Sequence, residues 1–422
     1  MHPNREVAAT SRRPRVVVIG GGFAGLACAR ALGSCAIDVT VIDRENHNLF
    51  QPLLYQVATA ALSPADIAEP IRKSLGRHRN IKVFLAEVVG IDVVGKDVVL
   101  QGGRRQRFDH LVIATGSEYN YFGHEEWREA APGLKTIAHA RAIRQRLLLA
   151  LERAEMAEDP EEKEALLTSI VVGGGPTGVE MAGAIAELGR YAIARDFRNI
   201  VPSQMRVLLV EAGSRILPSF PEALSDYAVD QLKGLGVEVV LGQSVEEIDS
   251  EGAVIGGRLV RARTVVWGAG MKASPAASWL GIESGPDGKI PVGRDLSVEG
   301  LTNIYAIGDT ARSLDGNGEA LPALAQVAKQ QGDYLGAALR RRILRAETPQ
   351  AFRFRNRGNT AVIGRNAAVF DFGRWQLKGR AGWFLWALVH VYLLISAEKR
   401  VLVSVQWLWR YFTRQRGARL IS

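Results

Sequence analysis

Apolar and polar positions follow an order along this chain that is repeated once. Residues 15–19 (RVVVI) form a nearly continuous apolar run, which predicts a strand buried on both faces. Three glycines, Gly20 to Gly22, interrupt it, and a helix-like run from Leu26 to Leu32 follows. Residues 38–42 (DVTVI) predict a second strand, ending at Asp43. The order returns at residues 169–172 (SIVV), with Gly173 to Gly175, a helix to about Arg195, and a strand from Arg206 to Val210 that ends at Glu211. Strand, helix and strand in this succession predict an α/β fold on parallel sheets. Apolar positions at helical spacing over 138–165 predict a connecting helix with no chemistry of its own. Near the end lie two apolar-aromatic runs, 381–395 (AGWFLWALVHVYLLI) and 401–412. Each is shorter than the ~20 apolar residues a membrane-spanning helix requires.

Composition narrows the class. With 422 residues the chain exceeds one ordinary core, so two or three domains are expected. Residues 1–15 are polar and Arg-rich and read as a short leader rather than a signal peptide. The two cysteines, Cys28 and Cys35, form neither a CxxC pair nor a four-ligand zinc set, so no metal is expected and both read as packing residues. The net charge of +9 gathers at one end: from Arg374 onward there are nine Lys/Arg, Arg414 and Arg416 among them, against the single acid Glu398. Such an end fits nucleic acid or an anionic membrane surface.

The two glycine loops carry the chemistry. In Gly20-Gly21-Gly22-Phe23-Ala24-Gly25, Gly20 permits the tight turn, Gly22 lets the backbone approach a pyrophosphate, and Gly25 lets helix and strand pack closely. The N–H groups at the helix start then face the phosphates, and Asp43 accepts from a ribose diol. Gly173, Gly175, Thr177 and Gly178 repeat the arrangement, with Glu211 as the acid. A carboxylate there suits a free 2′-hydroxyl and repels a 2′-phosphate, which favours NADH over NADPH, although Arg215 lies close in sequence. Two such loops in one chain suit an enzyme that binds FAD and a nicotinamide nucleotide at separate sites, the alternative being a repeated unit with one dead site. Strands ending in Ala-Thr-Gly (109–117) and Gly-Ala-Gly (263–270) add Thr115, Gly116, Ala269 and Gly270 as candidate cofactor contacts.

Residues 302–311 (TNIYAIGDTA) complete a pattern that resembles the two-dinucleotide-binding-domain flavoprotein reductases. That resemblance implies two Rossmann-like domains and a flavin-ribityl contact from Asp309. The FAD domain then spans 14–120 and 297–345, a helical connection 121–165, the NADH domain 166–296, and a C-terminal region 346–422. Without a suitable thiol pair, the disulfide-reducing branches do not fit. Residues 48–59 (NLFQPLLYQVAT), 321–332 (LPALAQVAKQQG) and the C-terminal segment resemble the type II NADH:quinone oxidoreductases, single-subunit enzymes that do not pump protons. From that family's AQxAxQ element, Ala325, Gln326 and Gln330 carry over beside flavin and quinone, the two amides four residues apart on one helix face. Lys329 between them departs from other members. Glu180, two residues after the second loop, corresponds to an acid near the nicotinamide and flavin. A purely structural alternative is that it serves as a first-turn acid favoured by the helix dipole.

Five of the eight tryptophans, Trp375, Trp383, Trp386, Trp407 and Trp409, fall in the C-terminal segment beside Arg and Lys. That composition predicts two in-plane helices resting on lipid headgroups, at the cytoplasmic face of a bacterial inner membrane or at the mitochondrial inner membrane in a eukaryote. A homodimer interface would use the same residue types. Aromatic residues in greasy runs do not form a polar stacking surface, so nucleic acid is not an expected partner. A membrane quinone is the expected electron acceptor. The competing readings are a soluble NADH-dependent reductase of a small electron-carrier protein and a redox-sensing scaffold.

Overall fold

The computed structural model describes residues 12–285, 287–348, 350–394, 396–413 and 419–421. The leader up to residue 11, and Arg414 and Arg416 of the basic end, lie outside the described residues. The chain forms two compact units.

The first unit comprises residues 1–48, 69–117 and 272–356. Its five-stranded parallel sheet runs in the order Ile304–Ala306, His110–Ile113, Arg15–Ile19, Asp38–Asp43, Ile81–Leu85. Val16, Val17 and Val18 occupy the central strand and are fully buried, as the continuous apolar run requires. The helix Phe23–Ala31 packs on the long helix Ala325–Arg345 with small residues between them. A Cβ on Gly332 would lie 2.2 Å from the Ala24 carbonyl oxygen, and one on Gly336 would lie 2.6 Å from that of Cys28. The two backbones therefore approach where no side chain stands.

The second unit comprises residues 49–68, 118–271 and 357–422. Its four-stranded parallel sheet runs Val237–Leu241, Arg206–Glu211, Thr168–Val172, Thr264–Trp267. The helix Pro176–Asp196 follows the central strand. An antiparallel sheet, Asn359–Gly364, Ala367–Asp371 and Gln376–Lys378, packs on that helix, close enough that a Cβ on Gly183 would lie 1.8 Å from the Ile363 carbonyl oxygen. The chain ends in the helices Gly379–Leu393 and Ala397–Thr413.

The α/β class and the two parallel sheets match the sequence reading, and the boundaries differ in detail. Residues 49–68 join the second unit because Trp407 and Gln406 donate to Gln56 and Asp66 at 2.9 and 3.2 Å. Residues 272–296 join the first, where Ile290–Pro291 pairs with Ala311–Arg312. The single connecting helix expected over 138–165 is two, Ile137–Met156 and Pro160–Leu167. Pro160 cannot continue the first helix, and Asp159 caps the second by accepting the Glu161 N–H. Among the described residues no helix is long and apolar enough to cross a membrane.

Candidate functional site

Both glycine loops solve the same geometric problem in the same way. Gly20 and Gly173 each hold φ at +101°, a left-handed conformation that a side chain would strain. Gly25 and Gly178 pack so tightly that a Cβ on either would lie 1.8 Å from the carbonyl oxygen of Gly20 or Gly173. Gly22 and Gly175 differ, since a Cβ on either meets nothing within 4 Å. Packing does not require glycine there, which leaves close approach by a ligand as the reason for it. Each of these two residues is also the N-cap of its helix and gives no side-chain cap, so the helix dipole opens onto that space.

The acids are placed alike. Gly21 and Glu45 N–H groups donate to Asp43 at 2.5 and 2.7 Å, and Gly174 and Gly213 N–H groups donate to Glu211 at 2.6 and 2.7 Å. Each carboxylate is thereby oriented at its loop, with lone pairs left for a diol. Burial pushes the Asp43 carboxyl up, and the two backbone N–H groups act in the opposite direction. Arg215 is committed elsewhere. Its guanidinium donates to the carbonyl oxygens of Phe220 and Pro218 at 2.9 and 2.7 Å and closes its own loop.

The remaining candidates fall around these loops. Phe23 and Ala24 form the first turn of their helix, and Thr177 that of its own. The Ala114 carbonyl closes on Gly20 just before Thr115 and Gly116, while the backbone of Ala269, next to Gly270, closes on Gly173. Thr115, Ser274 and Thr310 form a hydroxyl triangle with sides of 2.6, 3.3 and 3.3 Å. Asp309 follows Gly308 at the end of the strand Ile304–Ala306, and its carboxylate accepts the Ser117 hydroxyl at 2.7 Å. The first unit therefore combines an open helix N-terminus, an oriented acid and a second carboxylate at a strand end, and the first two suit a dinucleotide.

The glutamines divide. Ala325 opens the helix Ala325–Arg345, and Gln326 is half-buried on its first turn. Gln330 engages Arg355 at both ends of its amide, donating to the carbonyl at 2.9 Å and accepting the N–H at 3.0 Å. It pins the following segment to the helix, and a quinone oxygen would have to compete for it. Lys329 pairs with Asp333 at 2.6 Å. Cys28 is fully buried, and burial pushes its thiol up to about 12, so it is no thiolate nucleophile.

Glu180 belongs to the second unit and lines a cavity of about 150 Å³ there. Tyr55, Gln56, Arg365, Trp383, Trp386 and Trp407 contribute to the wall. Burial pushes the Glu180 carboxyl up to about 8, against one long hydrogen bond of 3.4 Å from the Val362 N–H. Burial thus favours the protonated form of the Glu180 carboxyl near neutral pH. Trp386 is buried, and its indole N–H has no partner among the described residues. Glu187, two helical turns beyond Glu180, accepts the Arg365 N–H at 2.5 Å, and the Arg365 guanidinium lies 4.4 Å over the Tyr411 ring. The sequence reading missed this cavity as a site, although its stretch 48–59 contains Tyr55 and Gln56.

Residues 14–332 match the family of pyridine nucleotide-disulphide oxidoreductases. The chain is 36% identical to the type II NADH:quinone oxidoreductase Ndh of Mycobacterium tuberculosis, over 100% of this chain and 93% of that protein. It is 32% identical to the mitochondrial internal alternative NAD(P)H-ubiquinone oxidoreductase A1 of Arabidopsis thaliana, over 94% of this chain and 84% of that protein. The structure of NDH2 from Plasmodium falciparum in complex with NADH superposes with a TM-score of 0.88 at 22% identity, over 96% of this chain and 100% of that one. That last likeness is one of fold.

Proposed function

We propose that the chain, which belongs to the pyridine nucleotide-disulphide oxidoreductase family and within it to the type II NADH:quinone oxidoreductases, oxidises NADH by way of FAD and passes the electrons to a quinone. The observation that carries this reading is the matched pair of glycine loops, one in each unit, each with its oriented acid. FAD is assigned to the first loop because the Asp309 turn ends a strand of the same sheet. When bound, FAD supplies the hydride acceptor and hands electrons on in pairs. Asp43 and Glu211 hold the two riboses, and the helix N-termini at Gly22 and Gly175 neutralise the pyrophosphates.

The cavity beside Glu180 is assigned to the quinone head group. Aromatic walls suit its ring, the Trp386 N–H can donate to a carbonyl oxygen, and protonated Glu180 can deliver a proton to the reduced form. Gln326 is retained as a flavin contact within the first unit, whereas Gln330 acts through the segment it pins. Steady-state NADH oxidation with a short-chain quinone and with a small acidic electron-carrier protein separates the two acceptor classes. The quinone should be turned over far faster. Preference for the carrier protein would overturn this reading.

Lipid contact is assigned to the last two helices. The helix Gly379–Leu393 buries Trp386 and His390 and exposes Phe384, Leu388 and Tyr392, each set spaced by four residues, so its outer stripe is apolar. On the helix Ala397–Thr413, Trp409 is 63% exposed and Phe412 74% exposed. Apolar stripes flanked by Lys399, Arg400 and Arg410 suit an anionic bilayer surface on the side where NADH is supplied. Trp409→Ser with Phe412→Ser should abolish co-sedimentation with anionic vesicles and leave the melting temperature unchanged. Undiminished co-sedimentation would exclude this surface.

Nucleotide choice rests on Glu211. With Arg215 committed to its own loop, Glu211→Ala should reduce the preference for NADH over NADPH by about tenfold, read as the ratio of kcat/KM values. An unchanged ratio would remove Glu211 from nucleotide selection.

A further inference from the structure

One buried polar side chain next to the candidate site has no place in the assignments above. Gln331 is fully buried on the helix Ala325–Arg345, in line with Val327 and Leu335 on its apolar face. Its neighbour Gln330 faces about 100° away, as helical geometry requires. The Gln331 amide bridges both ends of the turn that carries Asp309. Its Oε1 accepts the Gly308 N–H at 2.7 Å, and its Nε2 donates to the Ser313 hydroxyl at 2.7 Å. Gly308 has φ +74°, and a Cβ there would lie 3.2 and 3.4 Å from the Cβ atoms of Ala24 and Ala328, so the turn is seated between the two helices. Ser313 is itself buried and its carbonyl accepts the Leu321 N–H at 2.9 Å.

We propose that Gln331 is a positioning residue for FAD: it fixes the 308–313 turn so that the Asp309 carboxylate stands where the flavin's ribityl hydroxyls arrive. This rests on the reading that the first unit holds FAD. A buried amide with both ends occupied costs little when satisfied, whereas losing it deprives the half-buried Gly308 N–H of its acceptor. The turn would then shift to find another acceptor and would carry Asp309 with it. Gln331 touches no cofactor itself, so its effect on FAD should pass entirely through Asp309.

The test is FAD titration of the full-length apoprotein, followed by flavin fluorescence, for wild type, Gln331→Met, Asp309→Ala and the double variant. Gln331→Met should raise the FAD dissociation constant about tenfold, the order expected when a turn loses the hydrogen bonds that hold it at both ends. In the Asp309→Ala background the same change should weaken FAD by less than about twofold, because the group it positions is gone. Ser313→Ala removes one end of the bridge, should act in the same direction more weakly, and stands in if Gln331→Met does not fold. Wild-type FAD binding that neither Gln331→Met nor Ser313→Ala weakens would overturn the proposal alone, as would losses that add in full in the double variant. A wild-type protein that takes up no FAD would overturn the reading of the whole unit.

Discussion

Replacing Glu180 by Gln should slow quinone reduction by about a hundredfold, the lower range for a general acid, while flavin reduction by NADH stays within about threefold of wild type. The reason lies in the state of the carboxyl. Burial pushes it up to about 8, so below that pH the side chain holds a proton and above it the proton is lost. The wild-type quinone rate should therefore be level below about pH 8 and fall at higher pH, and the Gln variant should lack that fall. Stability follows the same sign. A carboxyl raised in the folded state contributes fully below its ordinary range, and the contribution is lost as pH rises toward about 8. Glu180→Gln should thus gain in melting temperature relative to wild type between pH 5 and pH 9. Rapid-mixing kinetics of each half-reaction across that range gives the answer. A Gln variant that keeps the wild-type pH profile would remove Glu180 from proton delivery.

The second large effect separates two kinds of glycine. Gly178→Ala places a methyl 1.8 Å from a backbone oxygen, with no flexible side chain able to yield, so the loop itself must move. Gly175→Ala places a methyl in open space, and the free protein should melt within about 1 °C of wild type, as for a substitution that meets nothing. Both should weaken NADH by at least about tenfold, the first by displacing the loop and the second by filling the space a pyrophosphate needs. Neither should release FAD from the first unit. Calorimetric NADH titration alongside thermal melts distinguishes the cases. A Gly175→Ala protein with unaltered NADH affinity would show that this loop does not cradle the nucleotide.

The two glycine loops were legible in the sequence because each places strand, turn, helix and acid within one local stretch. The positive φ at Gly20 and Gly173 and the packing contacts of Gly25 and Gly178 follow from that order. The terminal helices were legible as two local apolar-aromatic runs, the second interrupted by Ser404, Gln406 and Arg410. The cavity was not, since its wall is drawn from five separate stretches between Tyr55 and Tyr411 that only the tertiary fold assembles. The commitments of Gln330 to Arg355 and of Arg215 to Phe220 and Pro218 were hidden because residue type does not reveal which backbone a side chain will meet. Gln331 did carry a signal, a polar residue at four-residue spacing between Val327 and Leu335 on an apolar face.

The central claim is that one chain takes hydride from NADH onto FAD and gives the electrons to a quinone. Its most direct test is an anaerobic two-stage measurement on the purified, FAD-loaded protein. Stoichiometric NADH should bleach the flavin absorbance, and a short-chain quinone added next should restore it with one quinone reduced per NADH. A flavin that NADH does not bleach, or that stays bleached in excess quinone, would contradict the account.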